Sequence, residues 1–176
     1  MLGVRRRDPQ AEPTSHGLAQ AIQVEGCILK LKAASKEEAL NEVVDQLASS
    51  KLLPAALEDD ARAALQAREE LASTGVGMNV AIPHVKLEGL EEAIFSLSVA
   101  PDGLEWQAVD GAPVQIVFVV LRPDEPTELH DPEDHVEAMR WIAGLARDAD
   151  FRGFALQART KAELVGLLKE MAASGR

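Results

Sequence analysis

The sequence predicts an α/β fold, a central mixed β-sheet flanked by helices. Three observations carry this. Stretches with apolar residues at helical intervals alternate along the chain with short β-rich runs. One of those runs, Val114 to Leu121, has no polar face and so belongs to a strand buried on both sides. Apolar residues make up 47% of the 176 residues, enough for the core of a single domain.

Residues 1–20 hold Pro9, Pro13, Gly17 and three arginines but few large apolar side chains, a composition that predicts a flexible tail, with His16 in it. The domain is therefore expected over 21–174. Ile22, Val24, Cys27, Ile28, Leu29 and Leu31 suggest extended chain. Ser35 with Glu38 three residues on has capping-box spacing, and Leu40, Val43, Val44 and Leu47 follow helically, so a helix is expected over 36–49. Pro54 breaks the chain. A second helix is expected from Glu58 to Leu71, with acids in its first turn and Leu65 and Leu71 on one side. Residues 72–84 carry two glycines and two short apolar stretches, which suit short strands around a tight turn. Ile94 to Val99 reads as a further strand.

After Arg122-Pro123 a polar stretch leads to a helix expected over about 133–148, with Val136, Met139, Ile142, Ala143 and Ala146 at helical spacing. Phe151 to Ala158 forms a short helix. Thr160 and Glu163 open the last one as another capping box, with Leu164, Leu167, Leu168 and Met171 as its stripe. No internal repeat is present.

Charge and composition narrow the function. Eighteen Lys and Arg against 29 Asp and Glu give a net charge of -11, which argues against a basic grip on nucleic acid. The longest apolar run, Ile116 to Leu121, is far short of the roughly 20 residues that span a bilayer, and Arg5-Arg6-Arg7 leads into no hydrophobic signal segment, so a cytoplasmic protein without membrane insertion is expected. The single cysteine, Cys27, excludes an internal disulfide and a thiolate zinc cage, and is expected to pack as a small hydrophobe in a strand. There is no tyrosine, no phosphate-binding Gly-x-x-x-x-Gly-Lys-Ser/Thr loop and no Gly-x-Ser-x-Gly elbow.

What remains is histidine: His84 directly after Ala-Ile-Pro, and His130 and His135 near a helix start. A neutral imidazole carries a lone pair on one nitrogen while the other is held by a partner, so it serves as general base, metal ligand or phosphoryl acceptor. Pro83 fixes its own φ and biases Ile82 away from the α region, so His84 leaves a strand end in a constrained direction. Gly75 and Gly77 upstream allow the close backbone approach that an anion on N–H donors requires. His130, Asp131, Asp134 and His135 form an alternative, a carboxylate and imidazole metal site.

Arg68-Glu69-Glu70-Leu71-Ala72-Ser73-Thr74-Gly75-Val76-Gly77, followed by Ala81-Ile82-Pro83-His84, resembles the signature of the fructose/mannitol-type (type 2) EIIA domains of the bacterial phosphoenolpyruvate-dependent phosphotransferase system, which include the nitrogen-regulatory EIIA proteins. The resemblance runs from about Gln23 to Ala172. Its other anchors are Ala34 to Leu40, Trp106 to Val114, and Phe151-Arg152-Gly153-Phe154. It implies the EIIA sandwich fold and a phosphotransferase component that works as a phosphohistidine carrier. On this resemblance His84 takes a phosphoryl group from the HPr-type phosphocarrier and passes it to an EIIB domain. As an alternative, the phosphorylation state controls binding to regulatory proteins, as in stand-alone nitrogen-regulatory members. No metal, nucleotide or other cofactor is implied.

A second family histidine, thought to steady the phosphorylated ring, falls on His135. The family pattern of an apolar residue next, more at four and seven on, and Phe-Arg sixteen on is met by Val136, Met139, Ile142 and Phe151-Arg152. His130 fits none of these offsets and belongs to an acidic insertion of about 123–134. Phosphoryl transfer passes through a loose transition state with charge spread on oxygen, so the protein must mainly position and stabilise it. His135, the hydroxyls of Ser73 and Thr74, and the fixed charge of Arg68 are the expected donors. The chain departs from the family in having Met78-Asn79 where Asn-Gly is usual and Val85 where a glycine usually follows the histidine. Arg122 to His135 holds six acids against one arginine, a net -5, which would repel phosphate and so either select a basic partner or keep the loop away until one binds.

Overall fold

The computed structural model describes residue 19 and residues 21–175. Helices α1 (Lys36–Ser49) and α2 (Glu58–Leu71) precede strands β1 (Gly75–Gly77), β2 (Val80–Ala81), β3 (His84–Leu87), β4 (Ile94–Leu104) and β5 (Val114–Pro123), and helices α3 (Pro132–Arg147), α4 (Ala149–Gln157) and α5 (Lys161–Ala173) follow. The tail expected over 1–20 lies outside the described residues apart from Ala19, which is helical and buried in the core. Among the described residues no helix is long and apolar enough to cross a membrane.

β5 is the axis of the sheet. One of its edges pairs antiparallel with β4, and the other pairs parallel first with β2 and then with β3. β1 folds back antiparallel on β2. Outside β4 the segment expected as extended chain contributes one parallel bridge, Ile28 to Ser98, with Leu31 N–H donating to the Val99 carbonyl at 2.8 Å; Val24–Gly26 is instead a single 3-10 turn. Cys27 follows that turn rather than lying in a strand. It is buried as expected, and burial pushes its thiol up to about 11.

Alternation along β5 builds two cores. Ile116, Phe118 and Val120 face α3, α4 and α5, while Val117, Val119 and Leu121 face α1 and α2. Phe151 of α4 is fully buried and stacks on Phe118 with ring centroids 5.9 Å apart. On β4, Ser96 and Ser98 face the α1 and α2 side and are as buried as their apolar neighbours; Ser96 Oγ donates to the Gly26 carbonyl at 2.7 Å.

Both expected caps form, with one shift. Glu38 N–H donates to Ser35 Oγ at 3.2 Å and Glu163 N–H to Thr160 Oγ1 at 3.1 Å, while the glutamates reach back to Ala34 and Arg159 N–H, one residue before the cap, and not to the cap's own N–H. Asp131 and Asp148 cap α3 and α4 by the same chemistry. Two expected core contacts are wrong. Leu71 is 84% exposed, and α2 instead buries Ala61, Leu65 and Glu69; Val136 is 49% exposed, because α3 presents Ala138, Ile142, Leu145 and Ala146 inward.

The β1–β2 hairpin turns through Met78 and Asn79, with φ of 56° and 65°. Positive φ at both central residues is the pattern for which Asn-Gly is best suited. Methionine in this conformation costs about 1–2 kcal/mol. The turn is held from outside, Met78 N–H donating to Asp110 Oδ2 at 3.0 Å. Met78→Asn keeps that N–H and removes the unfavourable side chain, so it should raise unfolding stability by about 0.5–1 kcal/mol. Urea midpoints of the two proteins measure this, and an equal or lower midpoint for the variant would contradict the strain at this turn.

Candidate functional site

The site is built where the outer edge of the sheet runs out. Ile82 N–H donates outward to the Thr74 carbonyl at 3.0 Å, the last main-chain bond toward the β1 hairpin. Pro83 then turns its carbonyl inward to accept from Val120 N–H at 2.9 Å, which leaves the Ile82 carbonyl for another donor. His84 takes it, with Nδ1 2.7 Å from the Ile82 oxygen. A carbonyl only accepts, so Nδ1 carries the proton and the lone pair is on Nε2. The half-buried ring of His84 is thus held in one tautomer, and Nε2 has no hydrogen-bond partner among the described residues.

His84 and Lys86 alternate onto one face of β3, and their register partners on β5 are Val120 and Arg122. That face lies toward the helix that begins at Pro132, and His135, in the first turn of α3, interacts electrostatically with both His84 and Lys86. Burial pushes the pKa of His135 down to about 4, and the nearby Arg122, His84, His130 and Lys86 push in the same direction. His130 is only 6% exposed; burial and Arg122 lower its pKa, against Asp134 and Asp131, which raise it. Two ring nitrogens here, His130 Nε2 and His135 Nδ1, are buried with no hydrogen-bond partner among the described residues. Each such omission costs about 1–3 kcal/mol. Three imidazoles and two fixed cations therefore share one end of the sheet, a place suited to an oxyanion.

The other expected donors are engaged elsewhere. Thr74 is buried, its hydroxyl donates to Glu69 Oε2 and accepts from Trp106 Nε1–H at 3.3 Å, so its proton is not offered to a phosphoryl oxygen. Ser73 Oγ donates to the Trp106 carbonyl at 3.3 Å and accepts from Gly75 N–H at 3.2 Å, ordinary turn chemistry. Arg68 closes the end of α2 by donating to the Ala72 carbonyl at 2.8 Å. The glycines also have a different reason from the anion cradle expected of them. A Cβ on Gly75 would come within 2.8 Å of the Ala108 backbone, and Gly77, at φ 93°, packs against Asp110. They admit the Trp106–Gly111 loop. As for the metal-site alternative at His130, Asp131, Asp134 and His135, no three His, Cys, Asp or Glu side chains among the described residues form a group that could hold a metal.

Lys86 and Arg122 are the site residues that the sequence reading missed. Lys86 had a signal, its i+2 spacing from His84 on a strand; Arg122 lies at the end of the buried strand, and its pairing opposite Lys86 is a long-range fact.

Comparison with known proteins identifies the family. The family described as the phosphoenolpyruvate-dependent sugar phosphotransferase system, EIIA 2, matches residues 20–171. A nitrogen regulatory protein of Pseudomonas aeruginosa is 33% identical over 138 residues, covering 77% of this chain and 83% of that protein. One from Bradyrhizobium diazoefficiens is 36% identical over 134 residues, covering 76% and 82%. The crystal structure of the nitrogen regulatory protein IIA-Ntr from Neisseria meningitidis superposes with a TM-score of 0.75 at 25% identity, covering 86% of this chain and 98% of that one. The mannitol enzyme IIA of Escherichia coli, in complex with phosphorylated enzyme IIB, shares the fold, with a TM-score of 0.63 at 19% identity over 88% of this chain and 99% of that one. With its EIIA sandwich and a match across nearly its whole described length, the chain belongs to the EIIA 2 family of the phosphoenolpyruvate-dependent sugar phosphotransferase system.

Proposed function

We propose that the protein is a cytoplasmic phosphohistidine carrier in which His84 Nε2 accepts a phosphoryl group from an HPr-type phosphocarrier. The observation that carries this is the hydrogen bond from His84 Nδ1–H to the Ile82 carbonyl, which reserves the lone pair for Nε2. The phosphorus–nitrogen bond on the donor breaks as the bond to Nε2 forms, and Nδ1 keeps its proton throughout. The spread oxygen charge meets Lys86, Arg122 and His135. On this reading Arg68, Ser73 and Thr74 act indirectly, by holding the end of α2 and the start of β1 against which Ile82 is fixed.

Two destinations for the group are open to such a carrier, an EIIB domain or a regulatory role in which the phosphorylated and free forms bind different proteins. The nitrogen regulatory proteins at 33% and 36% identity favour the second. Incubation with enzyme I, HPr and phosphoenolpyruvate should place acid-labile phosphate on the wild type and none on His84→Ala; label persisting on the variant would contradict the assignment. Labelled protein that retains its phosphate before an EIIB domain, but captures different proteins in its two states, identifies the regulatory role. Loss of the phosphate to EIIB identifies the transport role.

The depressed pKa of His135 has a consequence for stability. Burial in the folded protein pushes it down to about 4, against an ordinary value of 6.5. Between those limits the unfolded chain binds a proton that the folded one excludes, so this residue withdraws stability as pH falls from about 6.5 to about 4. His135→Gln should therefore lose less stability than wild type across that window in urea unfolding. Parallel losses in the two proteins would show that His135 is not held neutral by the fold.

A further inference from the structure

His130 lies outside every family anchor and its ring is not used by the transfer described above. Yet the acidic insertion is built to hold it. Thr127 and His130 form a two-residue antiparallel bridge, with Thr127 N–H donating to the His130 carbonyl at 3.1 Å and His130 N–H to the Thr127 carbonyl at 3.4 Å. Thr127 Oγ1 donates to the Glu91 carbonyl and accepts from Leu129 N–H at 3.2 Å. On the other side Asp131 is fixed as the cap of α3, accepting from Glu133 N–H at 2.9 Å. Residues 124–129 and 131 are exposed, and His130 alone among them turns inward.

The two orphaned nitrogens complement each other. His135 Nδ1 and His130 Nε2 are both buried without partners, and the two rings interact electrostatically. As the structure stands, neither nitrogen is bonded to the other or to any other group among the described residues. A phosphoryl dianion on His84 favours a proton on His135, and an imidazolium is a donor at both nitrogens. Its Nδ1–H then needs an acceptor, and a neutral His130 offers a lone pair at Nε2. We propose that His130 is a positioning residue of the phosphohistidine site, accepting the Nδ1–H of His135 once that residue has taken up a proton from solvent and donates its other N–H to the phosphoryl group on His84.

The charged groups facing the pair fit this division of labour. Arg122 from β5 and Lys86 from β3 oppose a proton on His135, and Asp131 and Asp134 at the start of α3 act on His130 from the other side. The inference rests on phosphorylation of His84, and the test separates the two.

Wild type, His130→Phe and His130→Gln are phosphorylated with enzyme I, HPr and phosphoenolpyruvate. The lifetime of the phosphohistidine and the 15N shifts of the His135 ring are then followed from pH 5 to 9. Phe removes the acceptor and keeps the volume; Gln restores an acceptor. Loss of one hydrogen bond to a charged group is expected to shorten the lifetime roughly tenfold in His130→Phe and to lower the pH at which His135 releases its proton. His130→Gln should recover most of both. Thermal melts check folding, and His130→Leu replaces the Phe variant if that one does not fold. An unchanged lifetime together with unchanged His135 shifts in the acceptor-free variant overturns the role of His130 while leaving the carrier function intact. A wild type that takes no label overturns both.

Discussion

The site depends on where the outer edge of the sheet stops being paired. Thr74 supplies the last carbonyl of the β1 hairpin to Ile82 N–H, and one peptide later the Ile82 oxygen has no strand beside it. A carbonyl at that position must find a donor or face water. The His84 ring, two residues on, provides the donor without any extra element. Tautomer, ring orientation and the direction of Nε2 all follow from that one bond. Had β1 been longer, Ile82 would have been satisfied by main chain and the imidazole left without its anchor.

That edge position is itself secured from the α1 and α2 side by a small polar node. Glu69 is buried near the end of α2, where it accepts from both the N–H and the hydroxyl of Thr74 and lies 3.6 Å from Lys36 Nζ. A buried carboxylate is tolerable only with such partners, and removing one would leave a costly charge. Trp106, fully buried, donates into the same node and brings the 106–111 loop down onto Gly75. Two stretches more than thirty residues apart in sequence thus fix each other through one hydroxyl and one missing side chain. The hairpin is pinned again at its tip by Asp110, whose carboxyl is held below its usual range by the Ala112 and Met78 N–H groups.

Features decided by neighbours in sequence were legible from it. The helices opened by Ser35 and Thr160 start where their capping boxes place them, because the partners are three residues apart and need nothing else. The buried central strand was legible for a similar reason, since a run without a polar face admits few other environments. Helical period failed at Leu71 and Val136. It defines a stripe but not its width, and near a helix end the neighbouring element covers less of it. The serines of β4 show the converse: polar residues alternate with apolar ones, yet both faces are covered. The motif pattern points to His84 and His135, whereas Lys86 and Arg122 come beside them through strand register, which no local pattern encodes. Thr74 and Ser73 misled because a hydroxyl beside a glycine looks the same whether it binds a ligand or a neighbouring loop.

The charge of the insertion changes meaning once its residues have directions. Arg122 to His135 carries a net -5, and on sequence alone that acidity opposes a phosphoryl group nearby. In the fold Asp124, Glu125, Glu128, Asp131 and Glu133 are exposed, where water and salt weaken them over a Debye length of about 8 Å. Arg122, His130 and His135 are more sheltered and act through a lower local dielectric. The same fourteen residues therefore present carboxylates outward and, inward, the Arg122 cation with two imidazoles. An anion that has reached His84 is governed by the inner groups, whereas an approaching protein surface meets the outer ones first. Selection of a basic partner and stabilisation of a bound phosphoryl group are then compatible within one loop, because burial and not sequence distance decides which charges each of them feels.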